Sequence, residues 1–82
     1  MKQIIEGHTY DTDIAIRLAG AEWEDFPTRG DRVRYTLFRD TEGSFFVLEE
    51  SSWMPEKFIV PKTREDAELF YLIYAHKIYE AF

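Results

Sequence analysis

Residues 32–50 constrain the fold more than any other part of the chain. Arg32 to Arg39 alternates, with Val33, Tyr35 and Leu37 on one side and Arg32, Arg34 and Thr36 on the other. That is the pattern of a half-buried strand. Asp40-Thr41-Glu42-Gly43 follows, a turn with Gly43 suited to a left-handed position. Ser44 to Glu50 then reads as the returning strand. A four-residue loop pairing Arg39 with Ser44 would set Leu37 opposite Phe46, Tyr35 opposite Leu48 and Arg34 opposite Glu49. Apolar then meets apolar, and opposite charges meet. A slip of one residue would put Tyr35 opposite Glu49, a poorer match.

Other elements assemble around this hairpin. Lys2 to Glu6 reads as a short strand ended by Gly7. Ile14, Ala15, Leu18 and Ala19 recur at helical spacing, predicting a short N-terminal helix over 12–19 that stops at Gly20. Ala21 to Asp31, with Pro27 and Gly30, reads as a loop, and so does Ser51 to Glu56. Lys57 to Val60 is a short strand closed by Pro61. Thr63 can cap a long C-terminal helix running to about Glu80, with Glu65 and Asp66 in its first turn. The expectation is a single α+β domain over 1–82, in the order β-α-β-β-β-α. A small antiparallel sheet carries a short N-terminal helix and a long C-terminal one.

Such a domain must stand on its packing. There is no cysteine, so neither a disulfide nor a thiolate zinc site assists, and aromatic residues at 17% supply the bulk. Sixteen Asp and Glu against ten Lys and Arg give a net charge of −6. This disfavours direct nucleic-acid binding and favours basic partners. Met1 to Glu6 is too short and polar for a signal peptide, and no 18-residue apolar run exists. No membrane role is expected, and the expected compartment is the cytoplasm of a host cell.

Candidate chemistry is sparse. Asp11-Thr12-Asp13 has the spacing of a metal-binding acid pair, but no nucleotide-binding domain or phosphate loop accompanies it. Asp11 as a helix cap, with Asp13 in the first turn, accounts for both acids. No metal and no cofactor are expected. His8 and His76 lack a nucleophile elbow, and Glu49-Glu50 on a strand point to opposite faces. The chain therefore reads as a non-enzyme with no catalytic residue. Glu22, Trp23, Glu24 and Asp25 mix carboxylates with an aromatic, and Glu49, Glu50 and Trp53 form a second segment of this kind. Aromatics anchor interfaces and acids steer basic partners, which makes these seven the expected partner-binding residues. The aromatic last helix, Leu69 to Phe82, offers a face for a second copy of the chain.

Three segments carry a family resemblance. These are Tyr10-Asp11-Thr12 with Ala15, Leu37-Phe38-Arg39 with Gly43-Ser44-Phe45-Phe46-Val47, and Ile59-Val60-Pro61 with Glu65-Asp66-Ala67. They resemble a family of small phage and mobile-element proteins. Its members share a G-K-x-Y-D-T-x-T-A opening, an L-Y-R-T-x-x-G-x-W-F hairpin and an I-I-P-L-T-x-x-E-A lead into a final helix. Some such proteins are similar to anti-CRISPR inhibitors. The resemblance implies an acidic inhibitor of a host defence complex, binding a basic nucleic-acid-handling surface as a DNA mimic. The alternative is a small dimeric scaffold or regulatory adaptor. Two features depart from the family pattern: Glu49-Glu50-Ser51-Ser52-Trp53 replaces a Gly-rich polar segment, and the last helix is more aromatic.

Overall fold

Asp40 organises the central hairpin. Its carboxylate Oδ1 accepts from the amides of Glu42 (3.0 Å) and Ser44 (2.8 Å). Its own amide donates to the Ser44 carbonyl, and its carbonyl accepts from the Gly43 amide. Asp40 and Ser44 thus close a three-residue loop, Thr41-Glu42-Gly43, with Gly43 at φ +83°. A three-residue loop ending in a left-handed glycine is a standard hairpin connection. It shifts the pairing one residue from the four-residue expectation. The strands β4 (Asp31–Arg39) and β5 (Phe45–Ser51) pair Phe38 with Phe46, Leu37 with Val47, Tyr35 with Glu49 and Arg34 with Glu50.

The structure is a computed structural model. It describes the backbone of residues 1–26 and 31–73 and the side chains of residues 1–20 and 32–73. Within these, the fold is mostly β, with six strands in two antiparallel sheets and one helix. The expected α+β order is therefore corrected. The hairpin β1 (Lys2–Ile5) and β2 (His8–Asp11) forms one sheet. The other has the order β3-β4-β5-β6, with β3 at Ile16–Phe26 and β6 at Met54–Lys62.

Three sequence expectations fail here. Residues 12–19 form no helix, because Ile16 onward joins the sheet beside β4. Pairing with a long neighbouring strand overrides a local helical spacing. The expected loop over 21–31 lies largely in strands β3 and β4, and the β5–β6 connection is tighter than the expected 51–56 loop. The C-terminal helix α1 is described over Arg64–Ile73, ten residues. Its expected continuation to Glu80, and His76 with it, fall outside the described residues. The Thr63 cap is present, its hydroxyl accepting from the Asp66 amide at 3.1 Å.

Both faces of the four-stranded sheet are covered. On one, Tyr10 of β2 packs with Phe38, Phe46, Leu48 and Ile59, flanked by Ile5 and Ala15. Phe38 and Phe46 stack at 5.1 Å, and Tyr10 meets Phe46 edge-on at 5.3 Å. On the other, Ala67 of α1 packs with Leu18, Leu37 and Val47, flanked by Tyr35, Phe45, Phe70 and Tyr71. Double coverage explains why consecutive residues are buried at Thr36-Leu37-Phe38 and Phe46-Val47-Leu48. A strand buried on both faces loses its polar alternation.

The β1–β2 hairpin turns on Glu6 and Gly7, both with positive φ, at 50° and 80°. Two left-handed residues make a primed turn, where Asn-Gly is preferred. A residue with a Cβ incurs about 1–2 kcal/mol there, and Asn tolerates it best. Glu6→Asn is expected to raise the unfolding free energy by about 0.5–1 kcal/mol in denaturant titration. A variant no more stable than the parent would contradict this turn geometry.

Candidate functional site

Register decides which of the expected partner-binding residues come together. Glu22, Trp23 and Glu24 stand on strand β3, opposite Arg34, Val33 and Arg32 in backbone register, and Asp25 occupies the register shift before Phe26. This corrects their expected loop placement, and their side chains lie outside the described set. Glu49 and Glu50 are neighbours on β5 and so face opposite ways. Trp53 is in the β5–β6 turn and is 44% exposed.

Glu50 is on the face covered by the β1–β2 hairpin. Its carboxylate lies 3.4 Å from Lys57 Nζ and 4.0 Å from Arg34 Nη1. These three line an open cleft of about 550 Å³ with Asp13, Arg17 and Thr36. The cleft mixes both charge signs, so Glu50 is largely engaged within the chain. Exposed pairs of this type contribute little stability each, typically about 0.2–1 kcal/mol.

Glu49 is on the face shared with α1. Its cross-strand neighbours are Tyr35 on β4 and Phe58 on β6. A groove of about 170 Å³ lies at one end of the sheet, lined by Val33, Tyr35, Glu49, Glu50, Ser51, Trp53 and Phe58. Phe58 is 49% exposed. The structure therefore gathers Glu49, Glu50 and Trp53 around one groove. Tyr35 and Phe58 complete its walls. Sequence reasoning missed these two because it lacked the pairing register and left Phe58 in a short, separate strand.

No catalytic arrangement stands out among the described residues. His8 Nε2 is 2.6 Å from Asp40 Oδ2, and its Nδ1 is 3.4 Å from Glu42 Oε2. Both ring nitrogens face carboxylates. His8 begins strand β2, and its contact with Asp40 ties that hairpin to the β4–β5 loop. Asp11 does not cap a helix. Its carboxylate accepts from the Asp13 amide at 3.0 Å, closing a side-chain turn, while Thr12 hydrogen-bonds the first residue. Among the described residues no group of three His, Cys, Asp or Glu could hold a metal ion. No described helix is long and apolar enough to cross a membrane.

No protein-family model, curated protein or solved structure matches the chain.

Burial raises the Asp40 pKa, but hydrogen bonds from His8, Ser44 and Glu42 outweigh it and hold the carboxyl below its ordinary 3.8. A depressed carboxyl pKa stabilises the fold above the unfolded value, and the contribution is lost as pH falls through the folded value. The stability due to Asp40 should therefore be complete above pH 3.8 and disappear below it. Asp40→Asn is expected to cost roughly 1–2 kcal/mol near neutral pH, because a neutral amide oxygen accepts the loop amides more weakly than a carboxylate and the charge facing His8 is lost. The gap from the parent should shrink in acid, as followed by denaturant titration over pH. A gap constant from neutral to acid pH would refute the ionised role of Asp40.

Proposed function

We propose that the protein is a non-enzymatic inhibitor from a mobile element. It acts in the host cytoplasm by binding a basic, nucleic-acid-handling surface of a CRISPR-type defence complex. The reading rests on the groove in which the carboxylate of Glu49 is set among Tyr35, Trp53 and Phe58, in a chain of net charge −6. Aromatic rings supply contact area, while carboxylates steer and orient a basic partner. Glu22, Glu24 and Asp25 of strand β3 are the further acids that this reading assigns to the partner. Glu50 contributes less, since Lys57 and Arg34 already engage it.

Two measurements test it together. Expression of the chain should let phage or plasmid escape a defined CRISPR system, and the tagged protein should retain a component of that system after nuclease treatment. Retention should weaken when ionic strength rises from about 0.1 M to about 1 M, as the screening length falls from about 10 Å to about 3 Å. Charge reversal of Glu22, Glu24, Asp25 and Glu49 should abolish it. Retention indifferent to both salt and charge reversal would defeat the electrostatic mechanism.

A second reading, a dimeric scaffold or adaptor, is favoured by one observation. Leu69, Leu72 and Ile73 are exposed along α1. Exposed large apolar residues in a row are a common mark of an interface. Sedimentation should then show a mass that rises with concentration, reduced by Leu72→Glu. A strict monomer at high micromolar concentration excludes this reading.

A further inference from the structure

The groove lined by Tyr35, Glu49, Trp53 and Phe58 contains a carboxylate in unusual company. Glu49 has an aromatic residue as its cross-strand neighbour on each side, Tyr35 on one strand and Phe58 on the other. Trp53 lines the same groove. The three residues pairing across the sheet share one face, so the carboxylate stands between two ring systems. Glu49 is half-buried, and no ion pair to it is formed among the described residues. Lys62 lines an adjoining groove, of similar size, that runs from Tyr35 and Glu49 toward Phe70. It does not come within ion-pairing distance of Glu49.

We infer that this groove binds an arginine side chain of a protein partner, held by Glu49 and sandwiched against Tyr35, Trp53 and Phe58. The inference rests on the functional reading above and gives its basic partner a specific anchor. Ring faces carry negative potential and attract cations, and a carboxylate beside them adds a direct ion pair. A purely apolar side chain would match the rings but would bury Glu49 without compensation. A lysine would satisfy the charge as a point. A guanidinium does more: its plane stacks on a ring while its edge presents two donors to one carboxylate. The groove volume of about 170 Å³ suits one side chain and not a folded element.

The test uses the whole chain and N-acetyl-arginine amide as probe, with N-acetyl-norleucine amide as the neutral control. Binding is read from the backbone amide of Glu49 and the indole N–H of Trp53 in two-dimensional NMR. The arginine probe should give saturable shifts confined to the groove, and the norleucine probe none. Glu49→Gln, which keeps shape and removes charge, should weaken binding about two- to five-fold. Trp53→Ala should weaken it by a similar factor. If Trp53→Ala fails to fold, Tyr35→Leu replaces it with the same expectation. Equal shifts from both probes, or an arginine affinity unchanged in Glu49→Gln, overturn the inference. If salt-sensitive retention of a defence component persists in that event, only the arginine anchor is lost. Loss of retention as well would remove the broader functional reading.

Discussion

The Asp40 carboxylate is the contact on which the rest of the structure depends. By accepting from the Glu42 and Ser44 amides it closes the hairpin loop at three residues. Loop length sets register, and a slip of one residue would exchange the faces of every side chain on the returning strand. With this register, Phe46 and Leu48 fall on one side and Val47 on the other. Each side then meets its own cover, the β1–β2 hairpin or α1. A two-stranded hairpin alone is at best marginally stable in water. Here Tyr10 buries its ring against Phe46, and His8 joins the same Asp40 that shaped the turn. One buried acid therefore couples the register of the main sheet to the docking of the smaller one.

The same register builds the groove. Tyr35 opposite Glu49 is a poor match when a hairpin is judged alone, because a ring and a carboxylate offer each other little. In the folded chain it places an acid among aromatic residues at one end of the sheet. A local pairing that lowers stability can persist where it serves binding. The energetic penalty is modest because Glu49 remains partly solvated.

Net charge is a poor guide to local charge in this protein. Glu50 is engaged by Lys57 and Arg34 within a cleft that also contains Arg17, so the face near the β1–β2 hairpin is electrostatically mixed. Glu65 and Asp66 serve the first turn of α1, where the helix dipole favours them. The acidity open to a partner is correspondingly smaller than the count of carboxylates implies. This places more weight on Glu49 and its aromatic surroundings.

Much of the local chemistry was legible in the sequence. The central hairpin, the left-handed Gly43 and the Thr63 cap follow from residue types and short-range spacing, because turns and caps are made by near neighbours. Placing Ile16–Phe26 in a strand required its partner, since Ile14, Ala15, Leu18 and Ala19 fit a helix equally well in isolation. The one-residue register, the double burial of β4 and β5, and the meeting of Glu49 with Phe58 are long-range matters. They arise only when strands distant in the chain compete for hydrogen bonds and apolar cover. Sequence determined the turn-forming and capping residues and the overall charge; tertiary pairing decided which side chains share a face, and so where a partner could be held.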